Sequence, residues 1–214
     1  MTLPILWSFR RCPYAMRARL AISVSGMQVQ LREIVLRSKP DAFLVTSPSA
    51  TVPCLKFDKG VIDESFDIML WALGQNDPEA WLDMADQGHS LIETSDGPFK
   101  TSLDRYKYAS RHPDGDALVE RAKAAEFLTN LNLMLDGQAW LFGGNPTLAD
   151  MAILPFVRQF AHVDLDWFLQ QPWPHLITWL NAFKSSPRFL GIMSKYTPWT
   201  EDDEPVIFPP TTTD

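Results

Sequence analysis

Leu3-Pro4-Ile5-Leu6-Trp7-Ser8-Phe9-Arg10-Arg11-Cys12-Pro13-Tyr14-Ala15-Met16-Arg17-Ala18-Arg19-Leu20 is the stretch on which the reading of the fold turns. Leu3 to Trp7 is a short apolar run of strand length, and from Tyr14 to Ser25 the pattern is helical, with Met16, Leu20 and Val24 on one face. Proline suits the first turn of a helix because its fixed φ fits and its missing N–H would have no partner there. Cys12 therefore stands at a helix N-terminus, where unpaired backbone N–H groups and the positive dipole end favour an anion. Arg10 and Arg11 add positive charge beside it. A free cysteine titrates near ~8.5, and such surroundings lower that value by one to several units. An isolated cysteine is more often a small buried hydrophobe, but strand, Cys-Pro turn, helix and flanking arginines together favour a reactive thiolate.

The pattern continues outward as an α/β unit. Gly26 is a stop for the first helix. Gln30–Val35 reads as a second strand, 36–40 as a loop, and Asp41–Val45 as a short helical piece. Val52–Phe57 and Val61-Ile62 form a hairpin about Asp58-Lys59-Gly60, and a helix from Glu64 to about Leu73 follows. The order is β-α-β-α-β-β-α, which is thioredoxin-like. In that setting Cys12-Pro13-Tyr14-Ala15 has the form of a Cys-x-x-Cys turn whose second cysteine is replaced by Ala15. An oxidised Cys12 then needs a thiol from outside the turn, and a soluble thiol such as glutathione is the obvious candidate.

Polar residues around Asn76, Asp77 and Pro78 mark a boundary, giving a first domain over 1–75, a linker over 76–86 and an all-α domain over 87–214. Helices are expected from about Ala85 to Ser110, with an interruption near Gly97-Pro98, and over Ala117–Leu135, Thr147–Ala161 and Pro174–Lys184. Thr147 and Asp150 have capping-box spacing, a folding device rather than chemistry. Pro155 should bend its helix. The tail from Phe208 to Thr213 is expected to be poorly ordered or laid along the surface.

Bulk properties exclude several classes. With 214 residues, 46% hydrophobic and 21% charged, the chain is ordinary for a globular protein, and its net charge of −7 argues against nucleic acid as a partner. Two cysteines make no disulfide framework, and the four histidines (His89, His112, His162, His175) are scattered, so no metal site is expected. No apolar run approaches the ~20 residues a membrane helix needs. No secretory signal is visible, and a reducing, cytoplasmic setting is expected.

A thioredoxin-like unit with an N-terminal Cys-Pro turn, followed by helices, resembles the cytosolic glutathione transferase superfamily over nearly the whole chain. Thr51-Val52-Pro53 and Asp63-Glu64-Ser65 look like its glutathione signatures, and residues 143–151 look like its helix-capping motif. Cysteine followed by Pro-Tyr resembles the omega-like and related bacterial cysteine classes. The resemblance implies that Pro53 is cis, that Val52 meets the cysteinyl part of glutathione, and that Ser65 and Glu64 take the γ-glutamyl carboxylate and ammonium. Leu36 and Lys39 would contact the same ligand, Lys39 at the glycyl carboxylate. Cys54 should be buried and inert. It further implies a homodimer, and an electrophile pocket to which Phe99, Leu103, Tyr106 and Tyr108 contribute. With Cys12 as catalytic residue, the expected activity is glutathione-dependent thiol transfer or reduction on a disulfide or small hydrophobic substrate. Glutathione conjugation to electrophiles and a non-catalytic binding scaffold are the alternatives. The absence of a second cysteine argues against a dithiol cycle.

Overall fold

The computed structural model describes residues 2–210. By compactness they divide into one unit of residues up to Glu79 together with those from Ser186 onward, and a second unit, Ala80–Ser185. The segment from Ser186 onward thus groups with the residues up to Glu79.

The first unit contains β1 (Ile5–Ser8), α1 (Pro13–Ser25), β2 (Val29–Glu33), α2 (Asp41–Thr46), β3 (Cys54–Phe57), β4 (Gly60–Ile62) and α3 (Ser65–Gln75). This is the β-α-β-α-β-β-α order that the sequence predicts. β2 runs parallel to β1, while β3 and β4 are antiparallel, in the order β4-β3-β1-β2. Alternation along a strand sends successive side chains to opposite faces. Trp7 thus packs on Phe43 of α2, with ring centroids 5.5 Å apart, on the face opposite Leu6 and Ser8. On that other face Ser8 accepts a hydrogen bond from Arg19 of α1, and α1 packs closely on α3. Gly26 ends α1 in the left-handed region at φ 69, where a side chain would be strained.

A fifth strand corrects the expectation for the tail. β5 (Val206–Phe208) pairs antiparallel with β2, Val29 opposite Phe208 and Leu31 opposite Val206. Phe208 is only 1% exposed, so burial of its ring and the open edge of β2 together hold this segment in place. Thr211 to Thr213 lie outside the described residues.

The second unit is helical: α4 (Gln87–Thr94), α5 (Lys100–Lys107), α6 (Ala117–Met134), α7 (Leu148–Ala161), α8 (Leu165–Leu169) and α9 (Pro174–Ser185). Where an interruption is expected at Gly97-Pro98, Ser95–Phe99 instead forms a π-helical turn joining α4 to α5 without a break. A short helix, α10 (Pro187–Ile192), follows and packs on α1 in the first unit.

α7 is buried nearly all round, as suits a helix at the centre of a bundle. Its start is tied down by Asp150, which is 0% exposed. One carboxylate oxygen accepts from the Thr147 N–H at 2.8 Å and the Thr147 hydroxyl at 2.9 Å. The other accepts from the Leu141 N–H at 2.9 Å and Trp179 Nε1 of α9 at 3.1 Å. Burial raises the Asp150 carboxyl above its usual range, against the pull of these donors. The capping box is thus also a tertiary hub. Asp150→Ala strands three buried N–H donors at roughly 1–3 kcal/mol each, so urea unfolding should show a loss of about 3–5 kcal/mol. A loss below about 1 kcal/mol would mean the hub carries little.

Candidate active site

The site is built where β1 ends. The chain turns through Phe9–Cys12, closed by the Cys12 N–H on the Phe9 carbonyl at 3.0 Å, and enters α1 with Pro13 in the first turn. Cys12 is the N-cap, extended at φ −73 and ψ 124, and its carbonyl accepts the Met16 N–H at 2.9 Å. The thiol is half-buried against the cluster of Trp7, Ile34, Phe43, Val52 and Cys54.

Across from it lies the cis Val52-Pro53 peptide. Cys12 Sγ donates to the Val52 carbonyl at 3.6 Å. The Val52 N–H has no hydrogen-bond partner among the described residues, because β3 begins only at Cys54. A backbone edge beside a thiol can receive an extended peptide segment.

The other expected residues differ in their settings. Ser65 is buried at the start of α3, and its hydroxyl oxygen accepts from Arg17 Nε of α1 at 2.9 Å. Arg17 also lies over the rings of Tyr14 and Phe66, at 5.3 and 5.8 Å. Glu64 is the exposed N-cap of α3 and makes no side-chain cap. Lys39 Nζ donates to the Ala50 carbonyl at 2.9 Å, joining it to the loop that carries Val52. Ala50 itself sits at φ 53, a left-handed conformation uncommon for a residue with a Cβ. Leu36 is exposed in the turn between Val35 and Ser38, away from any bonded link to this loop.

Asp63 organises the neighbouring backbone. It accepts from the Ser47 hydroxyl at 2.7 Å and the Ser49 N–H at 2.8 Å. Burial raises its carboxyl, but these hydrogen bonds together outweigh that and hold it below its ordinary value. Cys54 is buried at 0% exposure, and burial followed by the nearby Asp63 carboxylate pushes its thiol up to about 12. Neither cysteine is in a disulfide. Among the described residues no group of three or more histidine, cysteine, aspartate or glutamate side chains could hold a metal ion, and no helix is long and apolar enough to cross a membrane.

Two sequence models of one family match nearly end to end. "Glutathione S-transferase, N-terminal domain" covers residues 6–81 and "Glutathione S-transferase, C-terminal domain" covers residues 79–182. The chain belongs to the glutathione S-transferase family. Glutathione S-transferase omega-1 of Mus musculus is 24% identical over 196 residues, spanning 85% of this chain and 77% of that one. The chloroplastic glutathione S-transferase DHAR3 of Arabidopsis thaliana is 25% identical over 148 residues, 67% of this chain and 53% of its own. Among solved structures, a glutathione transferase family member of Pseudomonas fluorescens with two glutathione bound superposes at a TM-score of 0.71 with 17% identity, covering 89% of this chain and 92% of that one. A glutathione S-transferase of Rhodospirillum rubrum gives 0.72 with 18% identity over 95% and 96%. These structures share the fold, a thioredoxin-like domain with a helical one.

Several residues of this transferase gain their importance only in the folded chain. Arg17, Arg19 and Glu33 are charged yet buried, at 2%, 1% and 8% exposure. Arg17 and Arg19, two positions apart, lie on different sides of a helix buried nearly all round, Arg17 toward Ser65 of α3 and Arg19 toward Ser8 of β1. Phe99 and Leu103, expected to line a pocket, are instead core of the second unit, Phe99 against Phe127 at 4.9 Å and Phe160 at 6.0 Å. Tyr106 packs on Phe160 at 5.6 Å, and Tyr108 lies under Arg111 at 4.6 Å.

The contrast between the two thiols is measurable. Native protein treated with iodoacetamide between pH 7 and 9 should take one label per chain, on Cys12, because Cys54 stays protonated until about 12. Peptide mapping that finds Cys54 labelled as fast as Cys12 without denaturant would contradict this assignment.

Proposed function

We propose that this protein is a glutathione-dependent thiol transferase with Cys12 as its nucleophile. The observation that carries the reading is the Cys12 thiol at the N-terminus of α1, 3.6 Å from the carbonyl of the residue before cis-Pro53. The omega and DHAR relatives support a cysteine-type enzyme.

Glutathione would lie along the 50–53 loop, its cysteinyl N–H and C=O meeting the Val52 carbonyl and the unpaired Val52 N–H. At the start of α3 the Ser65 hydroxyl accepts from Arg17, which leaves its own O–H to donate to the γ-glutamyl carboxylate. The first N–H groups of that helix favour the same negative charge. Glu64 would take the γ-glutamyl ammonium, Lys39 would turn from Ala50 to the glycyl carboxylate, and Leu36 would cover the ligand from its turn.

In the reaction the Cys12 thiolate attacks the glutathionyl sulfur of a mixed disulfide. A Cys12–glutathione disulfide forms, the old S–S bond breaks, and the substrate thiolate leaves and takes a proton from solvent. A second glutathione thiolate attacks the glutathionyl sulfur on Cys12, releasing glutathione disulfide and restoring the Cys12 thiolate. Ala15, buried at 0% exposure, offers no resolving thiol, so the second step falls to glutathione. We read the protein as a cytoplasmic homodimer, as the family resemblance implies, with a disulfide or small hydrophobic second substrate.

Cys12→Ser should lower transfer from a small glutathionyl disulfide by at least ~10³-fold with an unchanged melting curve, since the alcohol cannot ionise near neutral pH. Full activity in that variant would reject the reading, and faster turnover of a chloronitrobenzene than of the disulfide by the wild type would reject it in favour of conjugation.

A further inference from the structure

The turn that carries Cys12 is held from beneath by two buried charges. The Arg10 N–H donates to Glu33 Oε1 of β2 at 2.6 Å, and the Arg10 carbonyl accepts from an Arg19 terminal nitrogen at 2.7 Å. One backbone residue, two positions before the thiol, is gripped on its donor side by a carboxylate and on its acceptor side by a guanidinium. Arg19 lies seven residues after Cys12, two turns along α1, and helix side chains lean toward the N-terminus, which brings its head under the turn.

Its other two nitrogens are engaged as well. The other terminal nitrogen bonds the Ser8 hydroxyl at the end of β1, and Nε donates to the Ile192 carbonyl of α10 at 3.1 Å. Glu33 has a second link as well, its carbonyl accepting the Trp199 N–H at 2.7 Å. Residues 192–199 therefore brace both members of the pair. Glu33 Oε2 is buried without a hydrogen-bond partner among the described residues, which leaves the carboxyl committed to the Arg10 peptide through its other oxygen.

We propose that Arg19 and Glu33 are positioning residues, a charged clamp on the Arg10 peptide that fixes where the Cys12 thiol stands and, through the Arg19 cation, favours its ionised form. The catalytic consequence rests on the exchange reading of Cys12, while the clamp itself does not. The groups that face the Arg19 guanidinium are Glu33 from β2, Tyr196 from the segment after α10, and Arg10 and Cys12 from the turn. Burial lowers Arg19 to about 10, against the pull of Glu33, Cys12 and Tyr196, so it stays charged through neutral pH.

The test compares four full-length variants by two readouts: the pH–rate profile of Cys12 alkylation by iodoacetamide, and kcat and KM for transfer from a glutathionyl disulfide. Glu33→Leu removes the acceptor for the Arg10 N–H, and Glu33→Gln keeps an amide oxygen for it. Arg19→Lys keeps the charge but not the three donor directions, and Arg19→Met removes both. Glu33→Leu and Arg19→Lys should lower kcat by about tenfold or more, with KM for glutathione changed less than about threefold, because small misplacements of a nucleophile are costly. Glu33→Gln should recover most of that loss, a rescue that a merely structural role would not produce in kcat alone. Arg19→Met should move the midpoint of the alkylation profile up by about one pH unit, the effect of withdrawing a nearby opposite charge. Should Arg19→Met fail to fold, the other three variants carry the test.

Wild-type alkylation rates, midpoint and kcat in both Glu33→Leu and Arg19→Lys would overturn the clamp. Alkylation uses no glutathione, so shifted alkylation in the variants, beside a wild type that transfers no glutathione, would keep the clamp and reject the exchange reading. Unshifted alkylation beside an active wild type would do the reverse.

Discussion

The fold of the first unit depends on one constraint: β1 must end so that the next residues turn tightly and deliver a helix N-terminus against the 50–53 loop. The Cys12 N–H on the Phe9 carbonyl closes the turn, and the proline after it commits the chain to α1. Everything that makes Cys12 chemically interesting follows from this geometry. It stands as the N-cap of α1, the Val52 carbonyl before cis-Pro53 meets its sulfur, and Ala15 in the second position leaves it without a second thiol in the turn. The unit's other cysteine, Cys54, is by contrast buried on a strand, and burial pushes its thiol up to about 12.

Holding such a turn calls for buried polar groups, and the chain supplies them from far apart in sequence. Arg19 reaches back from α1, Glu33 stands at the end of β2, and the returning C-terminal segment offers the Ile192 carbonyl and the Trp199 N–H. Buried charges are costly unless hydrogen-bonded, and here each nitrogen of Arg19 and one carboxylate oxygen of Glu33 has a partner. On the other face of the sheet the same segment places Trp199 edge-on to Trp7 at 5.0 Å, with Arg32 stacked over Trp199 at 4.2 Å. The segment after Ser186 is thus structural for the first unit, not an appendage.

Signals carried within a dozen residues are legible in the amino-acid sequence. The apolar run before Cys12, the Pro13 start, the Gly26 stop and the Thr147/Asp150 box each encode a local outcome, and each element appears within a few residues of its predicted place. The features that are not legible are non-local. Val206-Ile207-Phe208 is three residues between prolines, too short for a period, and its partner β2 lies more than 170 positions earlier. Arg17, Arg19 and Glu33 are hidden because charge in a periodic pattern reads as surface, whereas here it is enclosed by bonds that only the tertiary fold supplies. Gly97-Pro98 misleads in a different way: a π-helical turn absorbs residues that would break a regular α-helix. Among the expected site residues, Cys12 meets the Val52 carbonyl, Ser65 is bonded to Arg17, and Leu36 and Glu64 stand exposed.

The claim at the centre of this account is that Cys12 exchanges with glutathione, and intact mass spectrometry of the protein incubated with glutathione disulfide addresses it most directly. The account predicts a gain of one glutathionyl group per chain, mapped to Cys12, formed faster as pH rises toward neutrality and removed by added glutathione. An unmodified protein under those conditions, or a glutathionyl group mapped to Cys54, would contradict it.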